Sequence, residues 1–165
     1  MIYAPDYCTH IPLLIKVLQR SNGPVLEIGM GPFSTPLLHS MCYEMKRHLV
    51  SYDNNMDFFE PNSAFANKGH EVRMVNNWDE AEIEDRHWGV AFLDHAPALR
   101  RKEEAKRLVN NVDFLIIHDS EKSKDKYFKY SEIYPLFKYR YNYKRMSPQT
   151  VVLSNTTDVV KVIRS

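Results

Sequence analysis

Four acidic residues stand at or near the ends of short apolar runs: Glu27, Asp53, Asp94 and Asp119. A strand that serves only to build a core has little reason to finish on an acid each time. Ligands of open parallel sheets bind just outside the carboxyl ends of the strands, where such acids would gather. Each acid taken alone is as readily the N-cap of a following helix; the set of four is what points to a site. Two histidines adjoin the later acids, His95 directly after Asp94 and His118 directly before Asp119. An imidazole with an ordinary pKa near ~6.5 is a fit general base. The alternative for either histidine is to pack beneath the site and hydrogen-bond the backbone.

The first acid opens a glycine turn, Glu27-Ile28-Gly29-Met30-Gly31-Pro32-Phe33-Ser34. Gly29 and Gly31 allow a tight turn and a close approach of backbone to a ligand. Asp53 lies 22 positions beyond Gly31, where a carboxylate can accept from both hydroxyls of a ribose. The turn departs from the dinucleotide fingerprint: Ser34 stands where the third glycine would be, and Pro32 removes an amide donor. A nucleoside cofactor without phosphates fits this loop better than a pyrophosphate does.

These residues must be held by the elements around them. Ile11, Leu14, Ile15 and Leu18 follow helical spacing, with Thr9 as N-cap. The runs 25–28, 48–52, 71–75, 90–93 and 112–117 read as strands. Helices are expected between them at 34–45, 56–67 and 98–109, and 76–86 as a loop with one helical turn. Ser34 or Thr35 is expected to cap the second helix, and Leu99, Ala105, Leu108 and Val109 to face inward from the fourth. Strand and helix alternate on short connections, which predicts parallel βαβ units. Beyond residue 126 the pattern changes: 127–137 reads as helical, while 138–145, 150–154 and 159–163 read as late strands forming an antiparallel edge. The expected fold is α/β, Rossmann-like and doubly wound: a mostly parallel seven-stranded sheet with an antiparallel edge and helices on both faces, in a single domain over residues 1–165.

The strings Val25-Leu26-Glu27-Ile28-Gly29-Met30-Gly31 and Val50-Ser51-Tyr52-Asp53 resemble the first two motifs of class I S-adenosylmethionine-dependent methyltransferases. Phe92-Leu93-Asp94-His95 and Leu115-Ile116-Ile117-His118-Asp119-Ser120 are similar to the fourth and fifth strand ends of the catechol O-methyltransferase group. The resemblance spans residues 9–121. It implies S-adenosyl-L-methionine as cofactor, with Glu27, Gly29 and Gly31 along its methionine part, Asp53 at the ribose, Asn77 or Trp78 near the adenine, and Asp94 as a further cofactor-binding residue. It implies Asp94, His95 and His118 as catalytic candidates, and Asp94 with Asp119 as ligands of a Mg2+ ion. Ser120 stands where that group has a metal-binding asparagine. Two other readings remain open: a non-catalytic S-adenosylmethionine-binding protein, and a nicotinamide-dependent oxidoreductase.

Composition sets the remaining bounds. The hydrophobic fraction is 44% and the formal net charge +1, so the overall charge argues neither for nor against nucleic acid. The two cysteines, Cys8 and Cys42, form no CxxC pair and read as reduced thiols. No apolar run approaches the ~20 residues that span a bilayer, and residues 1–10 lack a signal-peptide pattern, so a cytoplasmic protein is expected. Tyr7, Thr9 and His10 are candidates for a lid over the site. The run Arg100-Arg101-Lys102-Glu103-Glu104 reads as a solvated helix face, with Glu103 and Arg107 as an i, i+4 pair. In 122–145, lysines and arginines interleave with tyrosines and phenylalanines. That pattern can grip a single nucleic-acid strand, but a tyrosine-faced edge hairpin with solvated lysines is preferred. Bases are commonly methylated by enzymes carrying Asn/Asp-Pro-Pro-aromatic, a string missing from this sequence. The expected acceptor is therefore a small molecule or sugar oxygen or nitrogen, with nucleic acid unlikely as a partner, no membrane, and a homo-oligomer as a possible source of substrate cover.

Overall fold

Val25-Leu26-Glu27-Ile28 is buried at every position of strand β1 (Val25–Ile28), as a strand covered on both faces must be. The computed structural model describes residues 5–164. β1 lies between two parallel neighbours, β2 (Leu49–Asp53) and β4 (Trp88–Leu93). β3 (His70–Met74) pairs with β2, and β5 (Val112–His118) with β4, both in parallel. The antiparallel edge consists of β7 (Thr150–Ser154) against β5, then β6 (Tyr139–Tyr143) outermost. The sheet order β3-β2-β1-β4-β5-β7-β6 reverses direction between β1 and β4. A doubly wound sheet opens its ligand crevice at that reversal.

Period-two alternation divides the strand side chains between two cores. Val25, Leu49, Val90, Phe92 and Ile116 face one core with α1 (Ile11–Gln19), α2 (Ser34–Glu44) and α6 (Val159–Arg164). Leu26, Val50, Leu93, Leu115 and Ile117 face the other, with α4 (Arg101–Leu108) and the buried Trp78, Tyr130 and Ile133. The seven strands, their mostly parallel pairing and the antiparallel edge agree with the sequence reading.

Several local expectations fail for identifiable reasons. Residues 159–163 form helix α6, not a strand. Val159 and Ile163 are spaced four apart and both buried, and the Asp158 carboxylate accepts from the Val160 amide at the helix start. The N-cap of α1 is His10, without a side-chain bond; the Thr9 hydroxyl is drawn into the site instead. Phe33 precedes α2, so neither Ser34 nor Thr35 caps it. α3 (Met56–Asn62) contains Pro61 and gives way to a 3-10 turn at Ser63–Phe65. Residues 125–136 break into a four-residue helix, α5 (Asp125–Phe128), and two 3-10 turns. Leu99 is 53% exposed because a 3-10 turn, not α-helix, occupies 98–100. Cys8 and Cys42 are not joined by a disulfide. Among the described residues no helix is long and apolar enough to cross a membrane.

Candidate active site

Gly29 leaves β1 at φ +94°, and a Cβ there would lie 2.5 Å from the His95 amide nitrogen. The glycine is therefore required by the backbone of the β4–α4 loop, which passes directly over it. Both oxygens of Asp53 hold the neighbouring turns: Oδ2 accepts from the Met30 amide (2.7 Å) and Oδ1 from the Asn55 amide (2.8 Å). Burial pushes the Asp53 carboxyl up, against the opposing pull of these amides. Beneath the turn, the Gly31 amide donates to Thr35 Oγ1 (3.0 Å), and that hydroxyl donates to Glu27 Oε1 (3.0 Å). Ser51 Oγ donates to the other oxygen of Glu27 at 2.6 Å. Glu27 has no exposed surface, and burial pushes its carboxyl up to about 7 in spite of the hydroxyls around it. It braces the glycine turn from below and is not among the residues that line the cleft.

The ends of β4 and β5 carry a charged cluster. The Arg101 guanidinium donates to the His95 carbonyl through Nε (2.8 Å), to Asp119 Oδ2 through Nη1 (3.0 Å), and pairs through Nη2 with Asp94 Oδ1 (3.0 Å). Lys124 Nζ donates to the second oxygen of Asp119 at 2.8 Å. Burial works to raise the Asp119 carboxyl, but Lys124, His118 and Arg101 together hold it below the usual carboxylate range. His118 Nδ1 lies 3.3 Å from Asp94, and its Nε2 lies 2.9 Å from Thr9 Oγ1. Thr9 Oγ1 itself donates to the Pro148 carbonyl at 2.7 Å. His95 packs on Trp78 at 4.4 Å, and its Nε2 is 3.0 Å from the fully buried Glu104. Burial lowers the His95 pKa against the opposing effect of Glu104.

A cleft of about 300 Å³ joins these groups. One end is lined by residues 29–34, Asp53, Asn54, Asn55 and Phe58; the other by Tyr7, His10, Asp94, His95, Arg101, His118 and Asp119. The structure thus brings Gly29, Gly31, Asp53, Asp94, His95, His118 and Asp119 to one cavity. Tyr7 and His10 line it too, as lid residues would. Asn77 and Trp78 do not reach it: Asn77 is exposed and caps the Asp79 amide, while Trp78 is buried and donates to the Ala96 carbonyl. The Asp94–Asp119 pair does not suit Mg2+, because the Arg101 guanidinium bridges the two carboxylates.

Arg101 and Glu104 belong to the run that reads as a solvated face, yet both are buried. Arg101 stands four before Ala105 and seven before Leu108, on the inward stripe of α4, and that spacing is the signal that identifies it. Glu103 and Arg107 are not paired with each other; Arg107 binds Glu84 and Glu103 binds Lys106.

No protein-family model matches the chain, and no curated protein matches its sequence. Solved structures match its backbone. A methyltransferase from Pyrococcus furiosus aligns over 95% of this chain and 89% of its own, at 16% identity and a TM-score of 0.59. An RNA methyltransferase from Salinibacter ruber, in complex with S-adenosyl-L-homocysteine, aligns over 92% and 91%, at 12% identity and a TM-score of 0.54. The 23S rRNA methyltransferase ErmE aligns over 93% and 73%, at 12% identity and a TM-score of 0.52. The expectation of a small-molecule acceptor with nucleic acid as an unlikely partner is overturned here, since similar structures include enzymes of RNA. That expectation rested on the missing Asn/Asp-Pro-Pro-aromatic string and on reading the lysines and arginines of 122–145 as a solvated hairpin edge. The chain has the fold of the class I S-adenosylmethionine-dependent methyltransferases.

Proposed function

We propose that this protein is an S-adenosylmethionine-dependent methyltransferase acting on RNA. The observation that carries the reading is the single cleft at the β1/β4 reversal, which has a glycine turn and Asp53 at one end and Asp94, His95 and His118 at the other. The glycine-turn end suits a nucleoside: Asp53 is fixed by two amides yet keeps lone pairs free for ribose hydroxyls. The bound cofactor would supply a methyl group already activated on a sulfonium, which leaves the protein mainly to position the acceptor. At the other end, Asp94 and the adjacent His118 are suited to orient an acceptor hydroxyl.

Charge distribution supports RNA as the acceptor. Residues 121–145 contain eight lysines and arginines against three acids, a local charge of +5 within a chain of net +1. Lys122, Arg140 and Lys144, with Glu121 and Asp125 among them, line a second depression together with Ser120 and Gln149. Those last two residues directly follow Asp119 and Pro148, which line the cleft. A track of net positive charge thus leads to the acceptor end. The tyrosines Tyr139, Tyr141 and Tyr143 pack half-buried against the core, so the track offers charge more than stacking.

The test begins with calorimetric titration of S-adenosylmethionine, S-adenosylhomocysteine and, as control, NAD. Micromolar binding of both adenosyl ligands and none of NAD is the expected result. Transfer of labelled methyl to RNA follows. Failure to bind either adenosyl ligand overturns the cofactor, and transfer to protein or free nucleosides but not to RNA overturns the acceptor.

A further inference from the structure

The geometry points to a divalent transition-metal site formed by His10, Asp94 and His118, at the acceptor end of the cleft. One ligand atom from each of the three lies within 4.8 Å of the other two. Ligands adjacent around a first-row ion at ~2.1 Å lie roughly 3 Å apart. Small side-chain rotations therefore close the set, and the His118–Asp94 distance of 3.3 Å already meets the requirement.

Two orphaned features of the polypeptide are resolved by an ion there. His10 is 2% exposed, and neither of its ring nitrogens has a hydrogen-bond partner among the described residues. Leaving a buried polar group unpartnered is unfavourable, and packing against Phe92 at 4.7 Å satisfies neither nitrogen. His118 presents the second feature. Thr9 spends its only proton on the Pro148 carbonyl, so His118 must donate to Thr9 from Nε2. Its Nδ1 then faces the Asp94 carboxylate, a contact that needs either a proton or a metal ion between the two atoms. An imidazole whose second nitrogen is anchored by a fixed acceptor is the usual state of a metal-binding histidine. Asp94 is likewise fixed, because Arg101 holds Oδ1.

The ligand set selects the ion. Two imidazoles and one carboxylate favour zinc, iron(II), manganese or cobalt, whereas magnesium and calcium prefer all-oxygen surroundings. Three protein ligands leave positions open toward the cleft. On the methyltransferase reading, an acceptor oxygen would enter one of them.

The test needs neither cofactor nor RNA, so its outcome is separable from that reading. The untagged, chelator-treated chain is titrated with Co2+, following its visible d–d absorption, with Zn2+ as competitor and Mg2+ as control. One Co2+ per chain, displaced by Zn2+ and indifferent to Mg2+, is expected. His10→Phe, which keeps the ring packing, and Asp94→Asn should each weaken binding at least tenfold. Either variant that remains folded by circular dichroism is decisive. His39→Ala should leave binding unchanged, since the other close histidine pair, His39 with His70, lies outside the cleft. Absence of a stoichiometric signal, full affinity in His10→Phe or Asp94→Asn, or loss of binding in His39→Ala would overturn the site.

Discussion

A single guanidinium organises the acceptor end of the cleft. The Arg101 side chain is 8% exposed and ties two strand-end carboxylates and the His95 carbonyl together. Removing it leaves Asp94 and Asp119 close to each other without the charge between them. Arg101→Met should therefore destabilise the protein by about 3–5 kcal/mol, read from denaturant unfolding. Arg101→Lys should recover part of this, because an ammonium keeps the charge but loses the planar fork; equal losses in the two variants would refute a geometric role. Glu27 makes a different prediction, one of pH. Its folded pKa of about 7 lies above the ordinary 4.5, so the folded state holds a proton that the unfolded state has released between those values. The contribution is fully present below pH ~4.5 and is lost as pH rises toward 7, an effect of up to roughly 3 kcal/mol. His10 and His70, both lowered by burial to about 4, act in the opposite direction over pH 4 to 6.5. The diagnostic quantity is thus a difference. Glu27→Gln should lose less stability than the parent between pH 5 and 8 in thermal melts, and parallel curves would show that Glu27 does not titrate in this range.

At the scale of elements, the glycine turn separates two roles that look identical in sequence. Gly29 is confined by positive φ and by the His95 backbone, whereas a Cβ on Gly31 would meet only Ser34 Oγ, at 3.3 Å. Gly29→Ala should lose about 1–3 kcal/mol for the backbone conformation alone and more for the collision. Gly31→Ala should unfold within about 1 kcal/mol of the parent and show its effect in adenosyl-ligand affinity; comparable melts for the two variants would contradict this division. The strands that carry the site were legible because each apolar run of four to seven residues is closed by glycine or an acid, and the β1, β2, β4 and β5 ends fell where expected. Helix α4 was not legible by composition. A run of five charged residues reads as a wet face, yet Arg101 and Glu104 are buried because each has a fixed counter-charge inside. Helix α6 was hidden by its β-branched residues, which mimic a strand when only types, and not the four-residue spacing of Val159 and Ile163, are weighed. The bonds from Asp53 to Met30 and from Thr9 to His118 were beyond reach, since they join segments 23 and 109 positions apart.

For the whole molecule, the governing quantity is the separation of charge. The +5 of residues 121–145 is balanced by −4 over the rest of the chain, where 14 lysines and arginines face 18 acids. A partner with a dense negative backbone would be drawn to one side of the cleft and repelled elsewhere, which fixes its direction of approach. On the RNA reading, affinity should fall with salt at a slope of about −0.7 per phosphate contacted on a single strand. Lys122, Lys126 and Lys129 are exposed along this segment, and Lys129 sits at the helix end of α5 with a left-handed backbone. Replacing all three with alanine should lower the magnitude of the logarithmic salt slope by about 2, while calorimetric affinity for S-adenosylhomocysteine stays within a few-fold of the parent. The second measurement matters as much as the first. A fall in both affinities would mean that the segment supports the fold of the cleft, and an unchanged slope would mean that RNA, if bound, enters from another face.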